Sequence, residues 1–297
     1  MNNTTTRSSV YQIVTERIIA AIDRGVAPWR IPWTQTIGHP RNLASGKAYR
    51  GVNVWLLAIA QWEKGYPTAQ WVTYKQAQEM GGQVRKGEKS TLITFWKFFD
   101  TTDKKTGEPV RLPVLRYYNV FNVAQCDGLK YETPKAFVTN PIDTAESIVA
   151  GMPKRPEIRE GGRACYCTAS DVVEMPAMSR FEKGEDYYST LFHELAHSTG
   201  HESRLNRSMK AAFGSSVYAR EELVAEMTAA YLCADCGIID QTIEQSAAYL
   251  AGWKKRLQDD EKLFVMAASA AQKAADFIRG EYAEVEAESE QSEEVAV

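Results

Sequence analysis

Residues 187–197 read Tyr-Tyr-Ser-Thr-Leu-Phe-His-Glu-Leu-Ala-His and contain the spacing H-E-x-x-H. Residues four apart share one face of an α-helix, so the imidazoles of His193 and His197 can converge on a single cation. Glu194 follows the first histidine and can reach a water polarised by that cation without becoming a ligand. The cation lowers the pKa of the water toward about 7 and Glu194 accepts its proton, which yields a nucleophile for a polarised carbonyl. Of four histidines in the chain, three (His193, His197 and His201) stand at four-residue intervals, a crowding that two incidental histidines would not produce. Leu191, Phe192, Leu195 and Ala196 fit a helix packed inside a domain, and Gly200 supplies a helix stop.

A catalytic metal site needs a third protein ligand and one open position. His201 is near in sequence, but it follows Gly200 and its ring need not stay on the same stripe. The second candidate lies in Arg220-Glu221-Glu222-Leu223-Val224-Ala225-Glu226, where Glu222 and Glu226 are spaced to share a helix face. This resembles the glutamate zincin pattern, a glutamate ligand followed four residues on by an acidic partner. The expected ligands are therefore His193, His197 and Glu222, with Glu194 as general base. Glu226 is expected to orient a metal-binding histidine, and His201 is the reserve ligand or a substrate-binding group. Zn2+ is the expected ion, with another divalent ion such as Mn2+ as the alternative.

The elements that must position these groups follow from periodicity. Helices are predicted over residues 10–22, 52–62, 73–80, 144–150, 186–198, 220–234 and, as one or two, 242–278. Strands are predicted over residues 92–99, 115–122, 164–168 and 172–175, with a charged hairpin or loop at 104–108. Residues 27–33, Ala-Pro-Trp-Arg-Ile-Pro-Trp, are expected to be extended because of their two prolines. The strand-like stretch from Ala164 to Met175 is a candidate edge on which an extended substrate could be laid.

The 297 residues suggest about two domains, and 44% hydrophobic with 10% aromatic residues excludes wholesale disorder. No apolar run reaches the ~20 residues needed to span a bilayer, and the polar start does not read as a signal peptide, so no membrane partner is expected. Five cysteines (Cys126, Cys165, Cys167, Cys233 and Cys236) are too few for a disulfide framework. Cys233 and Cys236 read as buried thiols on a helix, and Cys165-Tyr166-Cys167 alternates like a strand and reads as structural.

The net charge of −3 conceals a split. Residues 1–135 carry 19 Lys and Arg against 10 Asp and Glu, whereas the remainder carries 16 against 28. Six of the seven tryptophans lie in the basic half. Bases stack on aromatic faces while cations follow phosphates, so this mixture suits single-stranded nucleic acid. The candidate contacts are Trp29, Arg30, Trp33, Lys47, Tyr49, Arg50, Trp71, Tyr74, Lys75, Arg85, Lys86, Lys89 and Trp96. The competing reading is that the tryptophans are core and the charge a solvated face.

Taken in order, these motifs resemble a known family. Residues 11–19 (Tyr-Gln-Ile-Val-Thr-Glu-Arg-Ile-Ile), the Pro-Trp pairs at 28–29 and 32–33, Tyr49-Arg50-Gly51-Val52-Asn53, residues 71–77, 82–88 and 118–122 resemble the N-terminal domain of ArdC-type antirestriction proteins. That domain is shared with the TraC plasmid primases. Residues 190–201 are similar to the zincin-like metallopeptidase domain of the same proteins. The resemblance runs from about Val10 to Arg279. It implies an antirestriction protein of a conjugative plasmid, cytoplasmic in its bacterial host or delivered to a recipient cell. Such a protein binds single-stranded DNA and protects incoming DNA from host restriction; that it cleaves restriction-enzyme subunits or other DNA-bound proteins is an expectation that rests on the H-E-x-x-H geometry. The SprT/Spartan proteases to which its second domain is similar use three histidines, a departure that leaves Glu222 and His201 both open here.

The expected fold is α+β in two domains. An aromatic-rich, basic single-stranded-DNA-binding domain occupies residues 1–135, a linker 136–141, a zincin-like, SprT/Spartan-like metallopeptidase domain 142–280, and an acidic disordered tail 281–297. The alternative to a peptidase is a DNA-coating protein whose metal site is structural. A nuclease is disfavoured because no acidic cluster for two metals is apparent.

Overall fold

A computed structural model describes residues 9–30, 39–102, 107–131, 141–207, 216–238 and 247–282. Trp33, the side chain of Arg30, most of the loop and linker expected at 104–108 and 136–141, and all but the first two residues of the acidic tail lie outside the described residues. The chain forms two compact units, and residues 21–30 group with 141–282 rather than with 39–131. The sequence boundary at 135 had placed that segment in the first domain.

The first unit takes helix α1 (Val10–Ile22) up to Ala20, then strand β1 (Arg41–Asn42), helix α2 (Val52–Lys64), strand β2 (Gln70–Val72) and helix α3 (Tyr74–Glu79). Strands β3 (Gln83–Val84), β4 (Thr91–Thr102), β5 (Pro109–Asn122) and β6 (Cys126–Asp127) complete it. The main sheet has the order β1-β2-β5-β4, and β3 pairs separately with β6. α2 buries nine of its thirteen residues, which a half-exposed amphipathic helix would not do. Its Asn53 is bonded to strand β4 like a neighbouring backbone: Nδ2 donates to Thr94 O and Oδ1 accepts from Thr94 N, both at 2.7 Å. α3 starts with a capping box in which Thr73 Oγ1 accepts from Gln76 N and Gln76 Oε1 accepts from Thr73 N.

Trp71 joins Tyr49, Leu57, Ala60, Ile93 and Val120 in a core cluster and is fully buried. Two residues read as platforms for bases, Trp71 and Tyr49, are thus structural. Tyr49 is 6% exposed, and its hydroxyl accepts from Asn42 Nδ2. Trp71→Ala is expected to cost about 3–5 kcal/mol, the usual loss for deleting a buried large aromatic. Denaturant unfolding would measure it, and an unchanged midpoint would contradict the core assignment.

β4 and β5 are longer than the sequence pattern predicted. Their antiparallel register runs unbroken from Thr91 opposite Val120 to Thr102 opposite Pro109. The inner part contributes Ile93 and Val120 to the core, while the outer part leaves it, so Phe98, Phe99, Leu112 and Val114 are exposed, as are Tyr117 and Tyr118 opposite Thr94 and Ile93.

The second unit contains helix α4 (Pro141–Gly151), strands β7 (Glu157–Glu160), β8 (Cys165–Cys167) and β9 (Val172–Met175), and helices α5 (Gly184–Ser198), α6 (Ser216–Cys236), α7 (Ala247–Asp259) and α8 (Leu263–Arg279). The sheet order is β7-β9-β8, with β7 parallel and β8 antiparallel to β9, which leaves β8 on an edge. β7 was not predicted, since Glu-Ile-Arg-Glu carries no apolar alternation. α6 packs against α4, α5 and α8 and is accordingly apolar around most of its circumference. Ala267, Ala268, Ala271, Ala274 and Ala275 of α8 are all buried, and this small-residue surface lets Thr228 Oγ1 approach Ala271 O to 3.3 Å.

The Pro-Trp segment also departs from expectation. Pro28–Arg30 is a 3-10 turn, for which proline at the first position is well suited because its fixed φ and missing N–H cost nothing there. Trp29 is 2% exposed in the second unit and cannot contact DNA. Its ring meets Trp253 edge-on at 5.6 Å and Phe264 at 5.7 Å, and its Nε1 donates to Glu226 Oε2 at 2.7 Å.

Candidate metal centre

α5 turns Tyr188, Leu191, Phe192, Leu195 and Ala196 into the interior, and this fixes His193, Glu194 and His197 on the remaining face. The Nε2 atoms of the two histidines are 3.1 Å apart. From α6, Glu222 brings Oε2 to 3.7 Å from His193 Nε2 and Oε1 to 3.7 Å from His197 Nε2. The three donor atoms all lie within 4.8 Å of one another. A tetrahedral ion bound at about 2.0–2.1 Å holds its ligand atoms about 3.3 Å apart, so two imidazoles and a carboxylate in this arrangement fit a divalent cation and leave a fourth corner for a small molecule.

Glu221, adjacent to Glu222, was not singled out by sequence. Its Oε1 lies 3.5 Å from His197 Nδ1, on the opposite side of the ring from the metal-facing nitrogen. Arg207 holds it there, donating from Nη2 to Glu221 Oε1 at 2.6 Å and from Nε to Oε2 at 3.1 Å. The same guanidinium donates to Thr199 Oγ1 and Ala196 O, tying the end of α5 to the carboxylate. Burial opposes charge on His197, but Glu221 and Glu222 prevail and raise its pKa. Burial likewise raises the Glu221 carboxyl, and His197 with Arg207 outweighs it, so the net shift is downward.

The carboxylate behind the His197 ring is thus Glu221, where Glu226 had been expected. One turn further along α6, Glu226 Oε2 is taken by the Trp29 indole and the Tyr249 hydroxyl. The helical spacing that grouped Glu222 with Glu226 is real, but a carboxylate beside the two Nε2 atoms and one behind the His197 ring need different depths, and the adjacent residues Glu222 and Glu221 supply them. His201 is not brought to the cluster. It follows the helix in a turn, where its Nδ1 accepts from Ser203 N at 3.2 Å and lies 2.8 Å from Ser203 Oγ.

Glu194 is placed by strand β8. Tyr166 N, pointing outward from the sheet edge, donates to Glu194 Oε2 at 2.8 Å. Burial raises the Glu194 carboxyl above the ordinary range, against the pull of His197 and the Tyr166 amide. Tyr166 is itself fixed: its hydroxyl donates to Asp171 Oδ1 at 2.8 Å, and Arg204 is paired with Asp171 and donates to Ser198 O at 2.7 Å.

In the first unit the remaining DNA-contact candidates divide. Lys47, Arg50, Tyr74, Lys75, Lys86 and Lys89 are exposed and Trp96 is half-buried, 6.2 Å from the Tyr11 ring. Lys75 is paired with Glu79 at 3.7 Å, and Arg85 with Glu88 at 2.9 Å and Asp127 at 3.5 Å. The outer β4–β5 ribbon presents an assembled surface that the candidate set missed. Arg111 lies 4.8 Å over the Phe98 ring, Arg116 5.6 Å and Lys97 5.8 Å over Phe99, and Phe95 stacks on Tyr118 at 4.5 Å. A signal was available in the alternation of aromatics and cations over residues 95–99 and 111–118.

Residues 8–121 match the family of the N-terminal domain of the anti-restriction factor ArdC, and residues 143–270 match the zincin-like metallopeptidase family. The y4eC protein of Sinorhizobium fredii is 38% identical over 95% of both chains. The DNA primase TraC of Escherichia coli is 37% identical over 90% of this chain, which spans 27% of the primase. The antirestriction protein ArdC from plasmid R388 has been crystallised metal-free and with Mn(II). The metal-free structure is 40% identical with a TM-score of 0.77, covering 92% of this chain and 98% of that one. The Mn(II)-bound structure is 39% identical with a TM-score of 0.75, covering 94% and 100%.

Proposed function

The chain belongs to the ArdC family of antirestriction proteins, and on that premise we propose that it is a metal-dependent peptidase joined to a module that binds single-stranded DNA, together protecting plasmid DNA from host restriction. The observation that carries the peptidase reading is the convergence of His193, His197 and Glu222 beside a carboxylate, Glu194, that is not part of the donor set.

Zn2+, or Mn2+ as bound by the R388 relative, held by these three residues supplies Lewis-acid polarisation. The chain's own groups do the rest. Glu194 accepts the proton of the attacking water and later returns it to the leaving amine, the usual double role of one carboxylate in acyl transfer. Glu221 holds His197 in one tautomer through Nδ1, and Arg207 holds Glu221. β8 lies on the edge of its sheet with Tyr166 N held by Glu194, so an extended polypeptide laid there would hydrogen-bond along the rest of that edge, largely without regard to its side chains. Such tolerance suits an enzyme that removes restriction-enzyme subunits or other proteins from DNA.

The test is to incubate metal-loaded protein with β-casein and with a protein cross-linked to single-stranded DNA, and to follow loss of intact polypeptide. Cleavage that stops on chelation is expected. No cleavage of either substrate with Zn2+ or Mn2+ would leave DNA coating as the activity.

DNA binding is assigned to the β4–β5 ribbon. Exposed aromatic faces with cations against them are what a sequence-tolerant binder of unpaired bases needs, and an exposed apolar ribbon is otherwise costly to solubility. Replacing Phe98 and Phe99 by alanine is expected to weaken binding of an oligo-dT strand at least tenfold, at about 1–3 kcal/mol per stacked base. Fluorescence anisotropy at fixed salt measures it. Unchanged affinity would move the interface elsewhere, to the exposed cations Lys47, Arg50 and Lys86.

A further inference from the structure

We propose that Cys165, Cys167 and Glu174 hold a second divalent cation, thiophilic and of the zinc class, separate from the His193–His197–Glu222 centre. Side chains two apart on a strand share a face, so Cys165 and Cys167 of β8 point the same way. The register places Glu174 of β9 directly opposite Cys165, on that same face. The Sγ atoms are 3.8 Å apart, and Cys165 Sγ lies 3.9 Å from Glu174 Oε2. All three donor atoms fall within 4.8 Å of one another, and the three residues are half-buried.

A tetrahedral ion bound at about 2.3 Å by two sulfurs keeps them about 3.8 Å apart, and a carboxylate oxygen at about 2.0 Å lies about 3.5 Å from either sulfur. The sulfurs thus already have the separation such an ion imposes, and the carboxylate must close by about 0.4 Å on Cys165 and swing toward Cys167, from which it lies within 4.8 Å. Gly161 makes room for it: a Cβ at that position would sit 3.0 Å from Glu174 Cβ and 3.1 Å from Oε2. Two thiolates and one carboxylate select Zn2+, Cd2+ or Co2+ and disfavour Mn2+ and Mg2+.

The position gives the ion a task. Tyr166, between the two cysteines, is the residue whose backbone N–H holds Glu194. A cation that joins both neighbours of Tyr166 to β9 would fix the edge strand at the point where it holds Glu194. Cys165, Cys167 and Glu174 are accordingly positioning residues.

The test is metal binding by the full chain, with thiols reduced. Wild type should take up two equivalents of Zn2+ or Co2+ but one of Mn2+, and the Co2+ form should show a thiolate-to-cobalt charge-transfer band in the near ultraviolet. Cys165→Ser/Cys167→Ser should lose the band and one equivalent yet keep the other, which also reports that the unit is folded. Glu174→Gln should keep the band and weaken that site more than about tenfold, since even outer-shell partners are worth that much. His193→Ala/His197→Ala should keep the band and lose the other equivalent. Failure of the peptidase-site reading would show instead as indifference of stoichiometry to the histidine substitutions. The proposal is overturned if reduced wild type shows no band, or if the band survives the double serine variant and so arises at Cys126, Cys233 or Cys236. It is overturned too if the reduced protein takes up one equivalent while mass spectrometry finds Cys165 and Cys167 joined in air, which would make them a redox pair.

Discussion

Glu194→Gln is expected to lower peptide-bond hydrolysis by about 10²- to 10⁴-fold, the range typical for removing a positioned general base. The substitution is nearly isosteric, and the glutamine carbonyl can still accept from Tyr166 N, now at 2.8 Å from the carboxylate, so the cleft keeps its shape. Only the capacity to take a proton is lost. Metal content by mass spectrometry and affinity for single strands should therefore match wild type. Wild-type cleavage rates in this variant would remove Glu194 from the mechanism. The same protein separates two accounts of antirestriction in cells. If it no longer protects an incoming plasmid, hydrolysis is needed; if it protects fully, hydrolysis is dispensable and coating suffices.

The second large effect is on the metal itself. Glu222→Ala should weaken Zn2+ binding by more than about 100-fold, because partners outside the ligand set alone are worth about 10- to 100-fold. Glu221→Gln should fall within that lower range, since His197 would lose the acceptor at Nδ1 but not its place on α5. Glu226→Gln and His201→Ala should leave affinity unchanged, as their partners are Trp29 with Tyr249 and Ser203 respectively. Competition with a chelator of known affinity measures all four variants on one scale. A loss in Glu226→Gln or His201→Ala as large as that in Glu222→Ala would overturn the ligand assignment.

What local spacing controls was legible in the sequence. The face shared by His193 and His197, the extent of α1, the strand at Val172–Met175 and the two-part α+β organisation follow from the 3.6- and 2-residue periods of a chain. Those periods hold whatever the rest of the protein does. The family resemblance added the zincin-like setting of the motif and left the third ligand open between Glu222 and His201.

Tertiary structure decided the rest, and for one physical reason. Which of Glu221, Glu222 and Glu226 meets the histidines depends on how deeply α6 packs against α5, a distance set by residues such as Ala225 and not by the glutamates. Whether a tryptophan is a platform or a core residue depends on what else covers it. Trp71 and Trp29 were covered, while Phe98 and Phe99, less conspicuous in the sequence, were carried out of the core by a strand pair longer than its apolar signal. Composition names the groups a protein owns; burial, which is a property of several distant segments at once, assigns their work.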